Sequence, residues 1–254
     1  MHKGLVPLAK PEVEELARKR AELVGLEDDL AERELSLASI RAELAAFERR
    51  YLRTVGVLYA ELDEINAQIA ERMARNSGAE EAHRAAEQAR HRAQESQAAV
   101  DAQAAAARDF TPSPELKSLY REVAKRVHPD LAADAADRNR REKLMAEANQ
   151  AYEQGDANRL RKILEEYETS PESVQGSGVA ADLVRVIRKI TQVKNRLAEI
   201  QRETQELLSS DLAKLKAKAE ESQKEGRDLL AEMAERVREQ IAIARRRVEE
   251  LPLH

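Results

Sequence analysis

Apolar residues return every seven positions along the first third of the chain: Leu16, Leu23, Leu30, Leu37, Leu44, Tyr51, Leu58 and Ile65. A second, partial row holds Leu26, Ile40, Phe47, Leu62 and Ile69, with Lys19 and Arg33 interrupting it. A seven-residue repeat sustained over eight positions predicts a left-handed coiled-coil seam. Pro11, followed by Glu12, Glu14 and Glu15, marks the helix start, because proline fits the first turn and carboxylates favour the positive end of the helix dipole. Asn76-Ser77-Gly78 breaks the pattern, as a kink, a turn or a weak spot. Residues 79–108 are rich in Ala, Gln, Arg and Glu, so they favour helix but offer a thin interface. The expectation is an irregular lead over 1–10 and an N-terminal arm over 11–108, which at about 1.5 Å per residue would span roughly 150 Å.

A second arm is expected over 179–254. Its rows are Leu183, Ile190, Leu197, Thr204 and Val186, Val193, Ile200, Leu207. Ser209-Ser210-Asp211 shifts the phase, and the repeat resumes at Leu230, Val237, Ala244 and Leu251. The seam of each arm needs covering. Either the arms fold back on each other as an intramolecular antiparallel coiled coil with the compact segment at the tip, or each arm pairs with its copy in a homodimer.

Between the arms the period changes. Pro112 and Pro114 end the Ala-rich helix, and residues 169–178 read as a linker. In the compact segment, 109–168, one helix places Leu116, Leu119, Tyr120, Val123 and Val127 on a single stripe, with Lys117, Arg121, Lys125 and Arg126 opposite. A second helix offers Leu144, Met145, Ala148, Ala151 and Tyr152. A third, with Leu160, Ile163 and Leu164, closes the open side, and Gly155-Asp156 is the break and cap between them.

Composition narrows the class. Of 254 residues, 36% are charged and 3% aromatic, with 8 Gly and 7 Pro, which suits long surface-rich helices rather than one large core. The net charge of −5 argues against nucleic acid as a partner through bulk charge. There is no cysteine, so no thiolate metal site or cysteine nucleophile, and the five histidines are too scattered for a zinc site. No apolar run approaches the roughly 20 residues of a membrane span, and no signal-peptide core opens the chain. A cytoplasmic protein that is not an enzyme, holds no cofactor and meets no membrane is expected.

The first of the compact helices runs into His128-Pro129-Asp130. Proline ends the helix at the histidine, and the loop is expected to present an imidazole and a free carboxylate beside the basic face. The run Tyr120-Arg121-Glu122-Val123-Ala124-Lys125-Arg126-Val127-His128-Pro129-Asp130 resembles the Tyr-Arg-x-Leu-Ala-x-x-Tyr-His-Pro-Asp of J-domains in DnaJ-type co-chaperones. Met145-Ala146-Glu147-Ala148-Asn149-Gln150-Ala151-Tyr152 is similar to their Phe-x-x-Ile-Asn-x-Ala-Tyr. The resemblance covers roughly residues 110–167. The family's first short helix is absent, with only Asp109-Phe110 near its place, and Asp134 and Asp137 stand where the family often has lysines.

The heptad rows and the resemblance together give the expectation of an all-α protein, with long coiled-coil arms flanking a small J-like helical hairpin domain, and the resemblance implies that it recruits and stimulates a DnaK-type ATPase. His128, Pro129 and Asp130 would be the trigger. Lys117, Arg121, Lys125 and Arg126 would be the docking face, while the arms fix oligomeric state or hold a client or scaffold. The alternative is a structural scaffold or adaptor whose J-like domain serves only as a docking module.

Overall fold

A computed structural model describes residues 11–104, 110–132, 134–168 and 178–251. The expected lead and nearly all of the expected linker lie outside these. The described residues are all-α: α1 (Pro11–Tyr51), a π-helical segment (Leu52–Gly56), α2 (Val57–Ser77), α3 (Glu80–Ala104), α4 (Pro114–Val127), a 3-10 turn (Pro129–Leu131), α5 (Ala135–Gln154), α6 (Ala157–Glu168), α7 (Val179–Ser209), α8 (Asp211–Lys224) and α9 (Leu229–Glu250), with no strand among them. No helix among them is long and apolar enough to cross a membrane. They form two compact units. One combines the chain up to Ala42 with Phe110–Leu208; the other combines Glu43–Asp109 with the chain from Ser209 onward.

In the first unit α1 lies beside α7. Leu23, Leu30 and Leu37 pack against Ile190, Val193 and Ile200, all buried. The helices run parallel, unlike the antiparallel fold-back that is one of the two expected pairings, because their paired residue numbers rise together. Arg20 meets Asp182 at 3.2 Å, Glu34 meets Arg196 at 2.8 Å and Arg41 meets Glu203 at 2.5 Å. Lys189 acts on Glu27 one heptad after the first pair. A slip of one heptad would set Arg20 against Lys189 and Glu34 against Glu203. The opposite slip would set Glu27 against Asp182 and Arg41 against Arg196. Charge therefore fixes a register that the apolar rows leave degenerate.

In the second unit α2 lies between α3 and α9. Gly78 takes the left-handed conformation that ends α2 (φ 60°), and α3 folds back antiparallel. Arg90 of α3 reaches Glu71 at 2.6 Å and Glu64 at 2.7 Å, and Ser96 donates to Asp63 at 2.6 Å. The single arm expected over 11–108 is thus a hairpin in its second half. On the other side Ile65 and Ile69 pack with Leu230, Val237 and Ile241. The phase shift at Ser209-Ser210-Asp211 is a helix break: the Ser210 side chain accepts from the Ala213 N–H at 3.2 Å and starts α8.

Candidate functional site

The compact segment of the first unit is a three-helix module. Ser113 caps α4 by accepting from the Leu116 N–H at 3.1 Å, and Pro114 takes the first helical position. Asp134 caps α5 through the Asp137 N–H at 2.8 Å. Gly155 (φ 72°) ends α5, and Asp156 caps α6 through the Arg159 N–H at 2.9 Å. The expected stripes meet in one core. Leu116, Tyr120, Val123 and Val127 face Met145, Ala148, Tyr152, Leu160 and Ile163. The Tyr120 and Tyr152 rings lie 4.7 Å apart, and Phe110 stands edge-on to Tyr152 at 5.5 Å. Burial pushes the Tyr120 phenol far above its ordinary value. It stays protonated and donates to Asn149.

Pro129 holds His128 in an extended conformation (φ −57°, ψ 133°), so α4 ends at Val127, and the 3-10 turn follows. Here the sequence expectation fails. The imidazole is not presented at the end of the hairpin: His128 is 2% exposed. Its Nδ1 accepts the Asp130 N–H at 3.1 Å, which fixes the neutral tautomer with the proton on Nε2. Nε2 then donates to Glu34 Oε1 of α1 at 3.0 Å. The same oxygen accepts from Arg196 Nε of α7 at 2.8 Å, and Arg196 also reaches Glu203 at 2.7 Å. Burial alone would raise Glu34, but the bonds from His128 and Arg196 outweigh it and hold the carboxyl below the ordinary range. Burial likewise opposes the Arg196 charge, and Glu34 and Glu203 overcome it.

The Asp130 carboxylate is not free either. It is mostly covered, with Arg138 at 3.8 Å as its ion-pair partner, and burial raises its pKa. Pro129 is half-buried. Of the basic face, Arg121 pairs with Glu32 of α1 at 2.7 Å, and Lys125 pairs with Asp28 of α1. Arg126 pairs along its own helix with Glu122 at 2.8 Å. Lys117 is exposed. His128, Pro129 and Asp130 and two of the four cations expected to flank them are therefore brought together, but under α1.

Sequence reasoning missed Asp28, Glu32 and Glu34, which lie about 90 positions upstream. It also missed Arg141. This buried arginine gathers Asp137 Oδ2 at 2.8 Å, the Arg126 carbonyl at 2.9 Å, the His128 carbonyl at 3.5 Å and the Tyr167 hydroxyl at 2.6 Å. It satisfies carbonyls at the end of α4 and so anchors the turn that carries His128. Its signal was a cation at the head of the apolar stripe Met145, Ala148, Tyr152. Asp134 and Asp137, the departures from the J-domain loop, are the cap of α5 and a partner of Arg141.

The cavity beside Glu34, lined by Ala38, Arg41, Tyr120 and Asn149, measures about 50 Å³, which is room for water rather than a substrate. Among the described residues no three His, Asp or Glu side chains gather as a metal site. Comparison with protein-family models, curated proteins and solved structures finds no match.

Proposed function

We propose that this chain is a coiled-coil scaffold or adaptor in which the J-like module is clamped onto the coil as a docking module, with His128 serving as an internal staple. One observation carries the reading: the His128 imidazole, the residue a chaperone trigger would expose, is 2% exposed and spends its N–H on Glu34. A buried, fully partnered imidazole has no free edge for a second protein. The parallel helix pair with its heptad charge ladder supplies the rigid body of the scaffold.

A mixed ATPase assay with DnaK-type chaperones tests this. The scaffold reading expects no stimulation by the wild-type chain and no change in His128→Gln beyond that variant's loss of stability. Stimulation by the wild-type chain, abolished in a folded His128→Gln variant, would instead establish the co-chaperone reading. That second reading draws its support from the two J-domain-like motifs standing in the right order around His128-Pro129-Asp130.

A further inference from the structure

The contact between α1 and the three-helix module is built differently from the module itself. Twelve of the fourteen buried residues in the module's core come from α4, α5 and α6, and they include all its large side chains except Leu35. The α1 contribution is Ala31, Leu35 and the partly buried Ala38. Alanines bury little area, so α1 adds less to this core than the module does itself, and outside the core α1 also covers Leu131 of the 3-10 turn, which shares the cluster of Leu30 and Leu37. The rest of the contact is polar: Ser39 of α1 meets the Tyr152 hydroxyl at 2.8 Å, and the remaining pairs are charged. Asp28 and Glu32 of α1 pair with Lys125 and Arg121, and Glu34 takes the His128 N–H. Both cation pairs are exposed, hence weak and screened by salt. Most of the module's core is its own, and beside Ala31 and Leu35 α1 covers a cationic face ending in a hydrogen-bond donor.

Building on the reading of the module as a docking module, we propose that residues 24–42 of α1 form an autoinhibitory lid. This acidic, alanine-faced helix occupies in cis a surface that accepts a partner's helix of the same chemistry. The surface is Arg121, Lys125 and His128. The partner is an acidic amphipathic helix with carboxylates at positions i, i+4 and i+6 and small apolar residues between, as in Asp28, Ala31, Glu32, Glu34 and Leu35. Any such partner must part the module from α1, which stays paired with α7, so the lid sets a threshold for docking.

The test uses the full chain and a synthetic peptide of residues 24–42, with Leu30 and Leu37 replaced by Gln to keep it out of the α7 seam. Cysteines introduced at exposed Arg33 and Lys117 carry spin labels, since the chain has no native cysteine. The Asp28→Lys/Glu32→Lys chain is expected to show a longer, broader label distance than wild type. It should bind the peptide at least tenfold more tightly, with affinity falling severalfold between low and high salt. Adding Arg121→Glu/Lys125→Glu restores the charge match, re-closes the lid and excludes the peptide. A label distance that stays at its wild-type value in Asp28→Lys/Glu32→Lys, even with Leu35→Ala added, overturns the proposal. So does equal peptide binding to all folded chains, or binding to none. No chaperone enters this measurement, so its failure is separate from the ATPase result.

Discussion

His128 Nε2 lies 3.0 Å from Glu34 Oε1, ninety-four positions earlier in the chain, and the same oxygen is 2.8 Å from Arg196 Nε. One carboxylate oxygen thus ties the turn after α4 to both α1 and α7. A double-mutant cycle with His128→Ala and Glu34→Ala is expected to return a coupling of about 1–3 kcal/mol. Glu34→Ala alone should be the costlier single change, about 3 kcal/mol, because it leaves a half-buried guanidinium short of its counter-charge. Additive single effects in chemical denaturation would refute the coupling.

The acid side of the stability curve separates Glu34 from Asp130. The Glu34 pKa is held below its unfolded value, so its contribution is fully present above the ordinary carboxylate range and drains away as pH falls through the folded value. The Asp130 pKa is raised by burial, so its charge costs stability at neutral pH, and that cost is relieved as pH falls through the raised value. Asp130→Asn should therefore raise the melting temperature at pH 7 by about 1–3 °C, with the gain vanishing below the ordinary Asp pKa. Glu34→Gln should lower it at pH 7 and lose its effect in acid. An Asp130→Asn chain less stable at pH 7 contradicts the sign.

Arg141→Met keeps the stem of the side chain and removes the guanidinium. The carbonyls of Arg126 and His128 and the hydroxyl of Tyr167 then lose a donor. The expected cost is about 2–4 kcal/mol, since several buried acceptors go unpaired at once. Amide exchange should speed up at Asp130 and Leu131 more than within α6. Uniform exchange across the module would mean that Arg141 stabilises without anchoring the turn.

Val193 is fully buried in the seam between α1 and α7, whereas Val186 is only partly covered. Val193→Asp is expected to cost about 3–5 kcal/mol by burying an unpaired charge, and Val186→Asp distinctly less. Equal costs by thermal melting would contradict the packing.

The helices of the module and their stripes were legible in the sequence because each depends on neighbours three or four positions away. Gly155-Asp156 announced its break and cap for the same reason, whereas Pro114, read as the end of the Ala-rich helix, takes the first position of α4. The direction of the long helices was not legible: Leu23, Leu30 and Leu37 fit an antiparallel partner as well as a parallel one. The charges that decide it, Arg20, Glu27, Glu34 and Arg41, gain meaning only beside Asp182, Lys189, Arg196 and Glu203. The burial of His128 was hidden likewise. The tripeptide fixes the turn, but exposure depends on Glu34 and Arg196, and nothing local to His128 encodes them. The π-helical segment at Leu52–Gly56 had no signal beyond a glycine, where a Cβ would come within 2.8 Å of Leu52 Cδ2.

Histidine reactivity tests the internal staple most directly, with His83 and His91 as exposed references in the same chain. Acylation of each imidazole by diethyl pyrocarbonate, followed by peptide mass spectrometry, should find His128 modified at least tenfold more slowly than His91, and Glu34→Ala should remove much of that protection. A wild-type His128 that reacts as fast as His91 would show that the imidazole is open to a partner and that the staple does not exist.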